Sequence, residues 1–157
     1  KRRRNLIGET VKAAIKIAQN ENVAIVIENL KFKDNRDLKP KVSRKIHQFT
    51  YTRLLQGIER EAKRQGIEVI KINPAYTSII GRCKYQKQYG LSTHQAAALV
   101  IGRRGYNYPE KLPKAVREIL PQEIREKNKH HWSQWHVANI TINKLRKAGV
   151  KPAFLVA

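Results

Sequence analysis

The sequence predicts an α/β fold built on a parallel crossover, and three consecutive stretches predict it. Val23-Ala24-Ile25-Val26-Ile27 is a mostly β-branched apolar run of the kind found in a strand covered on both faces. Val42, Ile46, Phe49, Leu54, Leu55, Ile58 and Ala62 recur at helical spacing, and Gly66 is placed to cap that helix. Ile67 to Ile72 is a second apolar run, stopped by Asn73-Pro74. Strand, helix and strand in this order join parallel strands, with Ile25 to Glu28 expected as an interior strand beside Ile67 to Ile72.

The remaining elements follow from local signals. Leu6, Ile7, Val11, Ala14, Ile15, Ile17 and Ala18 give an amphipathic helix over Asn5 to Gln19, with Lys and Glu on its other face. Lys31 to Lys41 is polar, carries Asp34-Asn35 and Pro40, and reads as a loop. Ser78 to Gly90 has no clear period and reads as a basic loop. Ser92-Thr93-His94-Gln95 has the Ser-x-x-Gln form of a capping box and opens a helix over Ala96 to Arg104 that Gly105 ends. Beyond it, Pro109, Pro113 and Pro121 punctuate short helical pieces, and a longer helix from about Trp132 to Ala148 is closed by Gly149. Phe154-Leu155-Val156 is a weak third strand. A two-stranded parallel sheet does not bury both faces of its strands, so further strands are expected upstream of Lys1.

Composition narrows the partner. Lys and Arg number 33 against 12 Asp and Glu, a formal net charge of +21, which points to a polyanion. At 41% hydrophobic residues the chain is too apolar for a disordered basic tail. No apolar run of about 18 residues is present to cross a bilayer, and no helix pairs a wholly basic face with a Trp/Phe/Leu face, so nucleic acid is favoured over a membrane surface. The length of 157 residues fits a single core. Cys83 stands alone, which excludes an internal disulfide or a thiolate zinc ribbon and suits a cytosolic compartment. The absence of Met and the start Lys1-Arg2-Arg3-Arg4 suggest a fragment of a longer protein.

Few residues are placed for chemistry. Glu28 ends a buried strand, where α/β sheets position functional groups, yet a solvated strand end reads the same way. One Glu does not hold a pair of Mg²⁺ ions, and Asp34 and Asp37 in the following loop are better suited to turns. The stretch Arg82 to Tyr89 interleaves cations with Tyr85 and Tyr89, a composition suited to phosphate contact and stacking, and equally to a solvated loop. His130-His131 and His136 lack a carboxylate or Cys to complete a metal set, and Trp132 and Trp135 read as anchors of the last helix.

Val-Ile-Glu-Asn-Leu at Val26 to Leu30, the basic helix with Phe49 and Leu54-Leu55, Gly-Ile-Glu-Val at Gly66 to Val69, Asn-Pro-Ala-Tyr-Thr-Ser at Asn73 to Ser78 and Ala96-Ala97 follow one another at suitable spacings. Together they resemble the carboxy-terminal RuvC-like half of TnpB (OrfB) proteins, transposon-encoded RNA-guided DNA endonucleases of bacterial insertion sequences related to type V CRISPR effectors. The likeness covers Lys1 to about Gly105. It implies an RNase H-like (RuvC-like) mixed sheet flanked by helices, whose opening strands and first Asp precede this chain. Residues 1–105 would then be the carboxy-terminal part of that domain and 106–157 a basic helical tail. The implied cofactor is Mg²⁺, the implied partners are DNA and a guide RNA, and the implied location is the prokaryotic cytoplasm, at the nucleoid.

Carried over by position, Glu28 matches the family's second catalytic carboxylate and is the candidate metal ligand. The third is normally an Asp two residues before Asn-Ala-Ala, which aligns Thr93 with the acid and Gln95 with the Asn. In the broader RuvC-like group a His followed by an acid stands on this helix, so His94 and Gln95 join Glu28 as candidate catalytic residues. An amide at Gln95 is a much poorer metal ligand than a carboxylate, and a helix cap with His94 half exposed explains the same residues. The two Cys-x-x-Cys pairs usual in the family are missing, so no zinc is expected. Candidates for nucleic-acid contact are Arg44, Lys45 and Arg53 on the crossover helix, Arg82, Lys84, Tyr85 and Lys87 in the basic stretch, and Arg103 and Arg104 at the end of the Ala-Ala helix. Three readings remain: a Mg²⁺-dependent endonuclease, a nuclease-dead RNA-guided DNA binder derived from one, and a ribosomal-type RNA-binding protein. The last explains the charge but not the ordered motifs.

Overall fold

The computed structural model describes residues 2–29, 42–122, 130–150 and 152, with the side chains of residues 2, 3 and 42–48 excepted. The expected loop over 31–41, with Asp34 and Asp37, the weak strand 154–156, and the side chains of Arg44 and Lys45 lie outside the described residues. The chain is mixed α/β, mostly helical, with a small parallel sheet. It divides into two compact units, Lys1–Ile72 and Asn73–Ala157. Each has its own cluster of buried side chains, where the length alone suggested one core.

The first unit is the expected crossover with a helix before it. Helix α1 (Arg2–Glu21) precedes strand β1 (Ile25–Glu28), and helix α2 (Val42–Arg64) leads to strand β2 (Val69–Ile72). The strands pair in parallel, Ile25 opposite Val69 through Glu28 opposite Ile72. Among the described residues the sheet has these two strands, so within them β1 pairs with β2 alone rather than with a strand on each side. Val11 and Ile15 of α1 meet Ile27, Ile58 and Ala62 in the core. The helices approach so closely that a Cβ on Gly57 would lie 2.9 Å from Val11 Cγ2. Both helices stop in the same way. Asn22 and Gly66 take φ of 50° and 69°, and the following amides donate back five residues, Val23 N to Ala18 O at 3.0 Å and Ile67 N to Ala62 O at 2.9 Å. This satisfies carbonyls that a helix end leaves orphaned and turns the chain sharply into each strand.

The second unit is helical. The stretch expected as a basic loop, Ser78 to Gly90, is instead a helix with a π turn: α3 (Thr77–Gly81), the π-helical Arg82–Gln86, and α4 (Lys87–Tyr89), closed by Gly90 at φ 63°. Tertiary packing overrides the weak local pattern. Ile79, Ile80 and Tyr85 enter the core, and α3 crosses α5 (Thr93–Gly105) so tightly that a Cβ on Gly81 would sit 2.6 Å from the backbone carbon of Ala96. The capping box is present: Ser92 Oγ accepts from Gln95 N at 3.2 Å and Gln95 Oε1 accepts from Ser92 N at 2.9 Å. Helices α6 (Lys114–Glu118) and α7 (His131–Lys147) add Val116, Trp135, Ala138 and Ile142 to the core that holds Ala96 and Val100. One core therefore draws on residues from both sides of Gly105. Gly149, at φ 78°, ends α7.

Candidate nucleic-acid interface

Glu28 ends β1, at the carboxyl edge of the two-stranded sheet, and is half-buried. The crossover helix reaches it: Tyr51 Oη donates to Glu28 Oε2 at 3.2 Å. Burial, reinforced by the charge and hydrogen bond of Glu28, pushes the Tyr51 phenol above its usual pKa, so it stays protonated and remains a donor. On the same helix Arg53 lies over the exposed Phe49 ring, 4.2 Å from its centroid, a cation and an aromatic face presented together to solvent.

His94 and Gln95 belong to the second unit, at the start of α5. His94 is exposed, the Gln95 amide closes the cap, and the Thr93 hydroxyl faces Gln86 Oε1 at 3.5 Å. A Mg²⁺ pair needs several converging, mostly charged oxygen ligands. Glu28 supplies one carboxylate, already bonded by Tyr51, and the positions aligned with the closing acid carry a hydroxyl and an amide with structural partners. This donor set by itself does not fit a metal pair. Among the described residues no group of three or more His, Cys, Asp or Glu is placed to hold a metal ion.

The basic residues of the second unit separate into inward and outward sets. Glu110, 3% exposed, draws in three of the expected contact residues. Lys84 Nζ bonds its Oε2, Arg103 Nε bonds its Oε1 at 2.9 Å, and Tyr85 Oη donates to Oε2 at 2.8 Å. Lys84 and Tyr85 are consecutive residues of the π turn, and both reach Glu110 from it. Burial and the Glu110 hydrogen bond raise the Tyr85 pKa, and the Glu110 hydrogen bond raises that of Arg103. Lys84, Tyr85 and Arg103 thus stabilise the fold through Glu110. Lys87 is exposed. Arg82 is half-buried beside a recess lined by Ser78, Asn139 and Asn143, and its Nε has no hydrogen-bond partner among the described residues.

Arg104 anchors a second cluster. Its Nη1 donates to the carbonyls of Asn73 and of Ala75, the latter at 3.1 Å, and its guanidinium lies 4.7 Å from the Trp132 ring centroid. Trp132 meets Tyr76 edge to face, and Tyr76 Oη pairs with His136 Nδ1 at 3.0 Å. Trp135, 1% exposed, donates its indole N–H to the Glu110 carbonyl, so it anchors α7 as its sequence position suggests. Burial, with the charges of His130 and Arg104, lowers the His131 pKa. Burial pushes the Cys83 thiol up to about 12 against the opposing charge of Arg82, which makes it unsuited to nucleophilic or metal chemistry. Sequence reasoning missed Glu110. The signal was an acid set among Tyr106, Tyr108 and Pro109 in a chain short of acids.

No helix among the described residues is long and apolar enough to cross a membrane. No family model, curated protein or solved structure matches the chain.

Proposed function

We propose that this chain is the carboxy-terminal, RNase H-like part of a TnpB-like, transposon-associated, RNA-guided DNA endonuclease. The observation that carries the reading is the parallel β1–α2–β2 crossover with Glu28 at the carboxyl end of β1. That is the edge where open α/β sheets gather functional groups, and Glu28 is the residue that the motif order aligns with a catalytic carboxylate. In this reading base pairing with the guide reads DNA sequence, while the +21 chain holds backbones by charge and shape. Arg53 and Lys87 are its exposed contact candidates, Arg82 is half-buried, and Arg44 and Lys45 share the helix of Arg53. In this reading Mg²⁺ would be held by Glu28 together with acids of a longer protein, and the 157 residues alone are expected not to cut DNA.

A second reading, a nuclease-dead RNA-guided DNA binder, is favoured by one observation: Gln95, which the motif order sets where a closing acid is expected, carries an amide engaged in a helix cap. One experiment addresses both. The longer protein is purified with the RNA it retains and given DNA that matches or mismatches that RNA. Cutting of matched DNA in Mg²⁺ is expected, and tight binding of matched DNA without cutting would select the second reading. Failure to retain RNA, with no preference for matched DNA, would contradict both.

A further inference from the structure

The second unit contains a half-enclosed pocket of about 220 Å³ between the end of α5 and the start of α7. Its wall includes Tyr76, Arg104, Asn107, Tyr108, His131 and Trp132. The size is selective. Drug-sized ligands and whole cofactors use roughly 300–1,000 Å³, whereas an apolar cavity of about 150 Å³ already holds a benzene ring. The pocket therefore suits one flat heterocycle of one or two rings.

Its chemistry points the same way. Aromatic side chains supply faces for stacking, and Asn107 brings an amide with both donor and acceptor capacity to the rim. The wall is also held in place. Asn107 takes φ 59°, a left-handed conformation that Asn tolerates better than most residues. It closes α5 through Asn107 N to Arg104 O at 3.0 Å and Tyr108 N to Arg103 O at 3.1 Å. Arg104 is fixed by the carbonyls of Asn73 and Ala75 and by the Trp132 face. Tyr108, 56% exposed, stands with Arg103 4.9 Å from its ring centroid. A pre-formed aromatic and amide pocket in a strongly basic chain matches the way single-stranded nucleic acid is held, by backbone charge together with stacking of unpaired bases.

We propose that this pocket takes one unpaired nucleobase of a single-stranded RNA or DNA, stacked on its aromatic wall with its edge toward Asn107. The inference rests on the reading of the chain as a nucleic-acid-binding protein and adds a base-recognition site within the second unit. The chain contains two tryptophans, and both line the pocket, so their emission reports occupancy directly.

The test compares single strands of about ten nucleotides with abasic strands of equal length and charge, as DNA and as RNA, at low salt. Base-bearing strands should change the Trp emission and bind roughly ten- to a hundredfold tighter than abasic ones. The strand type with the larger difference identifies the source of the base. Tyr108→Ala, at an exposed position, should shrink that difference severalfold while leaving abasic binding unchanged. Equal binding of base-bearing and abasic strands with unchanged emission would overturn the pocket and leave the nucleic-acid reading standing. A base preference untouched by Tyr108→Ala would also overturn it, and no binding of any strand would overturn both.

Discussion

Glu110 should be the residue of the second unit least tolerant of substitution. Its buried carboxylate accepts hydrogen bonds from Lys84, Arg103 and Tyr85, and its backbone carbonyl accepts from Trp135. In Glu110→Ala two cations and a phenol lose their common acceptor. Removing one partner of a fully buried ion pair costs about 3–5 kcal/mol. The Lys84 and Arg103 side chains retain 20% and 35% exposure, so they rehydrate in part and the lower end applies, about 3 kcal/mol. For a unit of this size that lowers the thermal midpoint by roughly 12–24 °C. Glu110→Gln keeps an acceptor for Tyr85 but leaves the cations uncompensated, and adding Lys84→Met should recover part of the loss. Urea unfolding followed by Trp emission measures this directly, because both tryptophans lie in this unit. A Glu110→Ala protein within about 0.5 kcal/mol of the parent, the range of neutral surface changes, would refute the argument that Lys84, Tyr85 and Arg103 stabilise the fold through Glu110.

Three further outcomes are expected. Affinity for unrelated duplexes and RNAs should fall steeply and log-linearly as salt rises, with little sequence preference, and tight binding indifferent to salt would count against phosphate contact. Cys83, its thiol pushed up to about 12 by burial, should resist a disulfide reagent at pH 8 until the protein is unfolded, and rapid reaction of the folded chain would contradict its placement. The His131 pKa is lowered from 6.5 in the folded state, so below 6.5 the unfolded chain binds more protons and stability declines as pH falls toward the folded pKa. Urea midpoints across this window should depend less on pH in His131→Gln, and identical profiles would refute the assignment.

The first unit was legible because its signals are local. The β-branched runs, the amphipathic spacing of α2 and the Gly66 stop need no knowledge of tertiary neighbours, and the parallel pairing follows from their order. The stretch 78–90 was misread for a physical reason. A π turn adds residues to one coil and smears the 3.6-residue period, while Gly81, a weak helix former, is present because α5 passes too close for a Cβ. The Glu110 cluster was illegible because Tyr85 lies 25 positions and Lys84 26 positions away in the chain. Composition counted Lys84 and Arg103 toward a polyanion, and only the fold reveals that they turn inward. Glu28 was visible from its place at the end of an apolar run, whereas its Tyr51 partner on the crossover helix was not.

The central claim, that Glu28 is a catalytic carboxylate of an RNA-guided nuclease, is tested most directly by Glu28→Gln in the longer protein with its RNA, assayed on matched DNA in Mg²⁺. The substitution keeps an acceptor for Tyr51 and removes only the charge, so the account predicts loss of cleavage by at least about a hundredfold with DNA affinity nearly unchanged. Cleavage at the parent rate by the Glu28→Gln protein would contradict it.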